Sequence, residues 1–232
     1  MKFFKYGITL ERMKEEDIEL VRQWRNSDPV NRNMNYREII SPEQQREWFH
    51  SINNINFHYV VIHYRGEKIG LLNDKNIDWD TRSSETGIFI GRPGLFNTFV
   101  PYLVSVAGIE TMFYFLGWSR QYAHVLRSNT NAIDYNLQLG YKLCEGQEGI
   151  DHQRYEITRE SFDQTAGKIR KMIRSIAEGD TKSKILFEPM DFKTGIAQKF
   201  EDLFKKNLIP YKREETSEGL WYLEMDGNEL LK

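Results

Sequence analysis

The residues best suited to chemistry lie between Glu85 and Tyr141. This stretch reads as a strand, a loop, a very apolar helix, a second strand and a helix that ends in Leu139-Gly140-Tyr141. A strand that leads into a helix N-terminus presents free backbone N–H groups and the positive end of the helix dipole, which suit a phosphate-bearing ligand. Asn129 stands in the second strand-to-helix turn, where its side chain can contact a ligand or cap the helix. The pattern predicts a site for a phosphate-bearing ligand in this region.

Composition narrows the classes of function. The chain has 232 residues, a net charge of −2 and 40% hydrophobic residues, so it can form a proper core and has no overall attraction to nucleic acid or an anionic membrane. Cys144 is the only cysteine, which excludes an internal disulfide and is typical of a reducing cytoplasm. The N-terminus has no signal-peptide core, and no apolar run reaches membrane-spanning length. We expect a cytoplasmic protein with neither a nucleic acid nor a membrane partner.

Metal and nucleophile motifs are not apparent in the sequence. His58 and His63 lie on one predicted strand at odd spacing, so their side chains face opposite sides of it. Neither has two further ligands at a suitable spacing, and we predict no metal site. No serine–histidine–acid arrangement and no Walker loop stands out.

Hydrophobic spacing predicts the elements that must position these residues. Ser41 and Pro42 are suited to start a helix, and Arg65-Gly66-Glu67 is typical of a tight hairpin. The predicted helices cover 15–25, 42–52, 99–116 and 131–139, and the predicted strands cover 8–11, 58–64, 68–72, 85–90, 121–126 and 155–158.

The chain changes character after residue 160. A basic helix from Phe162 to Ile176, a turn at Gly179-Asp180, a strand at 184–187, a helix at 196–206 and a strand at 220–224 follow. We predict a main domain at 1–160 and a small α/β subdomain at 161–232, which packs against the main domain or a second copy of the chain in a homodimer. Four cations on the basic helix form a solvated face or dock an acidic partner such as an acyl carrier protein: Lys168, Arg170, Lys171 and Arg174.

The order of elements in residues 5–160 resembles that of the GNAT acetyltransferase superfamily. ETGIFIG resembles the fourth strand of that family, and NTNAIDYNLQLGY resembles its closing motif. The front half, VRQWRNSDPVNRNM and ISPEQQREWFHSI, resembles the branch that acetylates ribosomal-protein N-termini or nucleotide-linked amino sugars, and is closest to the enzymes of pseudaminic acid biosynthesis. The resemblance implies an α+β fold with a mixed, mostly antiparallel sheet flanked by helices.

The resemblance also implies a co-substrate, acetyl-CoA, whose pantetheine arm lies between two splayed strands as an added strand. Ile88, Phe89 and Ile90 are expected to supply the main-chain groups that bind it. Glu85 at the mouth of the splay is expected to act as general base on the acceptor amine, although a solvated strand-end carboxylate is an equally good interpretation.

The closing motif implies further site residues. Asn129 and Asn131 are expected at the cofactor, and Asn129 also at the helix cap. The family often protonates the departing thiolate with a tyrosine, but the matching position here is Asn136. Tyr135 beside it points about 100° away, so the general acid is left open between these two residues and no acid at all.

The phosphate loop, GRPGLFNTFVPY, departs from the family pattern. Its glycine positions are occupied by Asn97, Phe99 and Pro101, and Pro101 lacks an N–H. Asn97 and Thr98 are expected at the cofactor, and either can still cap the helix, so we predict a sound helix with a weakened phosphate site. Three explanations remain open: acetyl-CoA bound in a modified way with Arg92 or Arg127, another donor such as an acyl carrier protein, or a catalytically silent fold.

The acceptor is predicted at the end of the first helix. The resemblance places Trp24, Arg25 and Asn26 next to the segment that covers the acceptor, and Arg25 is suited to a sugar-nucleotide diphosphate or to the helix dipole. We therefore expect acyl transfer to the amine of a nucleotide-linked amino sugar. A protein N-terminus as acceptor and a silent binding module remain alternatives.

Overall fold

The computed structural model describes residues 1–178, 181–206 and 210–225, and its centre is one mixed sheet. The strand order is β10-β11-β9-β1-β2-β3-β4-β5-β6-β8-β7, and all neighbours are antiparallel except β5 and β6. The predicted turn at Gly179-Asp180 lies outside the described residues. The strands are β1 (Lys2–Lys5), β2 (Ile8–Arg12), β3 (His58–Tyr64), β4 (Glu67–Asp78), β5 (Ser83–Ile90), β6 (Arg120–Leu126), β7 (Lys142–Leu143), β8 (His152–Thr158), β9 (Lys184–Phe187), β10 (Tyr211–Thr216) and β11 (Gly219–Glu224).

The helices cover both faces of this sheet. A 3₁₀ turn at Glu15–Asp17 precedes the first of them. The helices are α1 (Ile18–Asn26), α2 (Asp28–Asn31), α3 (Pro42–Ile52), α4 (Val100–Glu110), α5 (Thr130–Leu139), α6 (Arg159–Thr165), α7 (Gly167–Ile176), α8 (Pro189–Lys193) and α9 (Ile196–Lys206). Helices α1 and α3 pack on one face through a small core that includes Val21, Phe49 and Leu71. Helix α4 packs on the opposite face, where the larger core lies. The α+β class predicted from the sequence is confirmed.

Helix α4 is the central element that the sequence predicts at 99–116. Its apolar residues surround it, and most of its side chains are buried, as predicted. After Glu110 the chain continues as a stretch of π-helix, Thr111–Phe115, so the predicted helix is present with its last turn widened. None of the helices in the described ranges is long and apolar enough to cross a membrane.

The C-terminal segment continues the same sheet. Strand β9 pairs antiparallel with β1, with Phe3 opposite Ile185, and β11 pairs with β9. Phe187 and Phe200 of this segment belong to the same hydrophobic core as α4. Strand β1 was not predicted from the sequence, because four residues are too short to show a period. The domain boundary near residue 160 stays a prediction, and the structure shows that the strands on its two sides share hydrogen bonds.

The predicted basic helix is two helices, and its cations are partly used inside the fold. Thr158 caps α6 through Ser161, which starts the helix earlier than predicted, and the chain bends at Ala166 before α7. Glu110 is only 2% exposed, and its carboxylate accepts from Arg170 Nε at 2.8 Å and Arg174 Nη2 at 3.2 Å. We expected all four cations of this helix to face solvent or an acidic partner. For Arg170 and Arg174 that expectation is wrong, because both pair with the buried carboxylate of Glu110.

Candidate active site

The sheet opens between its two parallel strands. Strand β5 pairs with β6 at only three positions, the last being Glu85 opposite Tyr122. Beyond it β5 continues to Ile90 and β6 to Leu126, with no further pairing between them. The gap has the form that an extended ligand needs if it is to bind as an added strand.

Strand alternation decides which main-chain groups face this gap. Gly91 N donates to Ile69 O of β4 at 2.8 Å, so odd-numbered residues of β5 direct their N–H and C=O groups toward β4. Ile88 and Ile90 therefore direct theirs toward the gap, whereas Phe89 directs its own toward β4. Their role as acetyl-CoA contacts stays a prediction, and the geometry fits it for Ile88 and Ile90 better than for Phe89.

A polar strip crosses the sheet at the mouth of the gap, on the face toward α1 and α3. We define it by Lys75 of β4, Glu85 of β5, Tyr122 and His124 of β6, and Arg154 of β8. The registers Lys75–Glu85, Glu85–Tyr122 and His124–Arg154 put all five side chains on one face. The Arg154 guanidinium lies over the Tyr122 ring at 3.7 Å from its centroid.

Glu85 is held tightly within this strip. Its Oε1 accepts from Lys75 Nζ at 2.6 Å and lies 2.9 Å from His124 Nδ1. Burial acts to raise the pKa of Glu85, but the hydrogen bonds from Lys75 and His124 outweigh it and hold the pKa below the ordinary value. A carboxylate with a lowered pKa is a poor proton acceptor near neutral pH.

His124 is the site residue that sequence reasoning missed. Its side chain is 29% exposed, and its ring lies 5.2 Å from that of His152. Period-two alternation along β6 could have placed His124 on the same face as Tyr122. The alternation alone does not relate His124 to Glu85, because that requires the register between β6 and β5. Within the described ranges no group of three potential metal ligands comes together.

Trp24 is part of the packing of α1. It is 9% exposed, and its ring meets Phe89 edge to face. A Cβ on Gly91 would lie 2.2 Å from Trp24 Cγ, so glycine is required there for the indole to pack against the strand end. These contacts give Trp24 a structural role, and its place as a substrate contact stays a prediction.

Arg25 lies beside a surface cavity of about 430 Å³ between α1, α3 and the segment that joins them. Its guanidinium lies 4.6 Å from the centroid of the Trp48 ring, and its Nη1 donates to Gln45 Oε1 at 2.8 Å. Tyr59 links this cavity to the polar strip: burial raises the pKa of Tyr59, the Arg25 cation lowers it and the Glu85 carboxylate raises it.

Asn26 fastens the segment that borders this cavity. Its Nδ2 donates to Ile40 O at 3.0 Å, and its Oδ1 accepts from Ile40 N at 2.9 Å. This pair of bonds closes the loop between α1 and α3 on the last residue of α1. Asn26 therefore positions the cavity wall, and a direct substrate contact stays a prediction.

The residues predicted on α5 have separate positions. Asn129 Oδ1 accepts from Ala132 N at 3.2 Å and caps the helix, which is one of the two roles predicted for it. Asn131 is exposed in the first turn. Asn136 is half-buried, and its carbonyl accepts from Tyr141 N at 3.0 Å where the helix ends. Their contacts with the co-substrate or the thiolate stay predictions.

Tyr135 is engaged by α4. Its hydroxyl lies 2.8 Å from Pro101 O and 2.7 Å from Ser105 Oγ, and burial raises its pKa. These contacts hold α5 against α4 and argue against a role in protonating a thiolate, because the proton is already shared within the protein. The role of Tyr135 as general acid stays a prediction.

The loop before α4 satisfies part of its own anion site. Thr98 Oγ1 accepts from Val100 N at 3.2 Å, and Pro101 has no N–H to offer. Asn97 is exposed in the same loop. Arg92 is paired with Glu67, and Arg127 lies 3.7 Å from Asp151. The start of α4 therefore has fewer free donors for a pyrophosphate than an unmodified helix N-terminus.

The structure is thus an α+β fold whose mixed sheet opens between two parallel strands, with Glu85 and His124 at the opening. Residues 8–142 match the acetyltransferase (GNAT) domain family, and the chain belongs to that family. It is an N-acetyltransferase that uses acetyl-CoA as co-substrate. A comparison with curated protein sequences finds no match.

Solved structures share this fold. A domain from Methanocaldococcus jannaschii is 21% identical with a TM-score of 0.56, and the match covers 65% of this chain and 97% of that one. An aminoglycoside acetyltransferase in complex with coenzyme A is 16% identical with a TM-score of 0.59, over 68% and 98% of the two chains. A spermidine N-acetyltransferase from Vibrio cholerae, in complex with CoA and spermine, is 20% identical with a TM-score of 0.56, over 67% and 98%.

Proposed function

We propose that this enzyme transfers an acetyl group from acetyl-CoA to the amine of a nucleotide-linked amino sugar. The observation that carries the proposal is the Arg25 guanidinium, which is half-buried beside an aromatic cavity and has no carboxylate partner in the described part of the chain. Burial lowers the pKa of Arg25 although Tyr59 and Tyr36 act to raise it, so the fold compensates only in part for the desolvation of this cation.

Two other partly buried cations have carboxylate partners. Lys68 lies 2.6 Å from Asp17, and Arg170 lies 2.8 Å from Glu110. Arg25 instead has one amide oxygen, on Gln45. Gln45 is 0% exposed, and its Nε2 has no hydrogen-bond partner among the described residues. The Arg25 guanidinium beside the cavity favours an anionic ligand, since phosphate accepts strong hydrogen bonds from a guanidinium.

The cavity next to Arg25 has the size and the walls of a ligand site. Its volume of about 430 Å³ is in the range of small-molecule pockets, and Tyr36, Ile40 and Trp48 line it. The acidic residue of the lining, Glu47, is exposed. Aromatic walls suit a planar base, and the adjacent cation suits its diphosphate, which together describe a nucleotide.

The charge of the site favours a nucleotide-linked acceptor over the substrates named for similar structures. Those structures include an aminoglycoside acetyltransferase and a spermidine acetyltransferase, whose named substrates are polycations. In this chain Glu85 is already paired with Lys75, Arg154 lies over Tyr122 in the polar strip, and Arg25 lies beside the cavity. A polycation would meet repulsion here, whereas a diphosphate would be attracted.

An acceptor panel tests the proposal through release of free thiol from acetyl-CoA. The panel contains UDP-linked and GDP-linked amino sugars, the same sugars without nucleotide, spermidine, kanamycin and a peptide with a free N-terminus. We expect turnover with a nucleotide-linked sugar and at least tenfold lower kcat/KM for its unphosphorylated form. Preference for the peptide would instead support protein N-terminal acetylation, and preference for the polycations would refute the charge argument.

Arg25→Gln tests the carrying observation. Loss of a charge-assisted hydrogen bond to phosphate costs about 1.5–3 kcal/mol, so KM for the nucleotide-linked acceptor should rise about ten- to a hundredfold with kcat little changed. Arg22→Gln is the matched control, because Arg22 lies on the same helix but is paired with Glu19 at 2.7 Å. Equal effects of both substitutions would contradict a specific site at Arg25.

A further inference from the structure

We infer that His124 takes the proton from the acceptor amine and that Glu85 is the residue that positions it. The inference rests on the proposed acetyl transfer but not on the identity of the acceptor. His124 lies on β6 two residues beyond the last β5–β6 pair, on the face of the polar strip. It therefore stands at the point where the sheet opens and where the reacting groups must meet.

The contact with Glu85 selects a ring tautomer. His124 Nδ1 lies 2.9 Å from Glu85 Oε1, and a carboxylate can only accept, so Nδ1 carries the hydrogen. In the neutral ring the lone pair is then on Nε2. Glu85 itself is less suited to be the base, because its Oε1 already accepts from Lys75 at 2.6 Å and its Oε2 from Asn76 Nδ2 at 3.3 Å.

Charged groups from each neighbouring strand face the His124 ring. Glu85 and Lys75 face it from β5 and β4, and His152 and Arg154 face it from β8. The Glu85 carboxylate contacts Nδ1 of the ring and leaves Nε2 free of that contact, which is the arrangement of an oriented base.

The acceptor ammonium gives one proton to Nε2 of His124 and becomes a neutral amine. The amine nitrogen forms a bond to the thioester carbonyl carbon, and the C–S bond breaks with its electron pair on sulfur. The nitrogen loses its second proton to solvent as the amide forms, and the thiolate takes up one proton from solvent. His124 then returns its proton to solvent.

Kinetics of three variants test the assignment, with the acceptor of the panel that the wild type acetylates best. His124→Gln should lower kcat about a hundredfold or more with little change in KM. Glu85→Gln should lower kcat about ten- to a hundredfold with little change in KM, because the His124 ring loses the carboxylate that fixes its orientation and tautomer. His152→Gln, which removes only the neighbouring ring, should change kcat less than about threefold.

Two kinetic outcomes would overturn the assignment. Near-wild-type turnover of His124→Gln together with loss of turnover in Glu85→Gln would make Glu85 the base. A large loss in His152→Gln with a small loss in His124→Gln would make His152 the base. Either result would change only which residue takes the proton. The preference of the enzyme among the amine substrates of the panel would stand.

The tautomer can be measured without turnover. Long-range ¹H–¹⁵N correlation spectra of the wild type, with the His124 signals identified by their absence in His124→Gln, should show a protonated Nδ1 and a free Nε2 at neutral pH. A protonated Nε2 with a free Nδ1 would refute the inference. If no amine of the panel is acetylated, the proposed function fails, and this measurement still decides whether His124 is arranged as a base.

Discussion

Asp74 is a buried carboxyl that joins three strands where the sheet opens. Its Oδ1 accepts from Ser84 Oγ of β5 and from Gln121 Nε2 of β6, each at 2.8 Å. Trp118 Nε1 donates in turn to Ser84 Oγ at 3.1 Å. Burial raises the pKa of Asp74 to about 6, and the two hydrogen bonds offset this only in part. The closed end of the gap therefore contains a carboxyl that is costly to ionise.

Asp74→Asn should stabilise the protein at neutral pH but not in acid. The folded pKa is about 6 and the ordinary value is 3.8, so the folded state binds more protons between these values, and stability falls as pH rises through them. The full cost, on the order of 3 kcal/mol, is present above pH 6. Urea unfolding of both proteins from pH 4 to 8 should show an advantage of Asp74→Asn that disappears toward pH 4. An advantage independent of pH, or one shared by the exposed control Asp80→Asn, would contradict this.

At the scale of elements, the start of α4 governs how the donor is held. The helix itself is sound, since it begins on Val100 and Pro101 and is buried along most of its length. Its anion-binding end is reduced, because one amide is absent and another is taken by Thr98. Phe96 and Phe99 stand exposed around it, at 38% and 36%. The start of α4 thus retains the residues that form the helix but has fewer backbone donors for a phosphate.

The double substitution Phe99→Gly and Pro101→Gly should tighten CoA binding about tenfold or more. Pro101→Gly restores an N–H, and Phe99→Gly removes a side chain beside the helix start; one charge-assisted hydrogen bond to phosphate contributes about 1.5–3 kcal/mol. Calorimetric titration with CoA measures the dissociation constant. Phe96→Gly, which adds no donor, is the control and should have little effect.

A submicromolar dissociation constant in the wild type would show that other groups replace the missing donors. Weak CoA binding combined with rapid transfer from an acylated carrier protein would instead identify a protein-borne donor. Either result would locate the phosphate contacts without changing the prediction for the gap between β5 and β6.

At the scale of the whole molecule, the C-terminal segment and the acetyltransferase domain share one core. Phe200 of α9 is 0% exposed, and its ring lies 5.4 Å from His58 and 5.5 Å from Trp79. Glu110 of α4 binds arginines of α7, and β9 pairs with β1. The segment is thus attached through its core, a buried ion pair and main-chain hydrogen bonds.

Phe200→Ala should destabilise the entire protein by about 3–5 kcal/mol, the usual cost of removing a buried phenylalanine side chain. Phe192→Ala is the matched control, because Phe192 lies in the same segment but is 46% exposed. Unfolding should be followed by far-ultraviolet circular dichroism and by tryptophan fluorescence. One transition shifted in both signals would show a single cooperative unit. Two transitions, of which Phe200→Ala shifts one, would support a separate subdomain after residue 160.

The sequence alone determined much of the local structure and the family of this protein. The apolar run from Val100 to Phe115 has no polar face, so it could only be a central helix. Ser41 and Pro42 start α3 as predicted, with Ser41 Oγ accepting from Gln44 N at 3.2 Å. Such features depend on residues close in the chain, whose spacing is directly visible.

Only the tertiary structure decided which distant side chains meet. His124 and Glu85 come together because the parallel register of β5 and β6 ends at Glu85, and no local pattern specifies that register. Arg174 binds the buried Glu110 although its helix reads as a basic solvent face. The partner of a side chain depends on how the elements pack, and packing is a property of the whole chain. The contact between Glu85 and His124 was therefore not visible in the sequence.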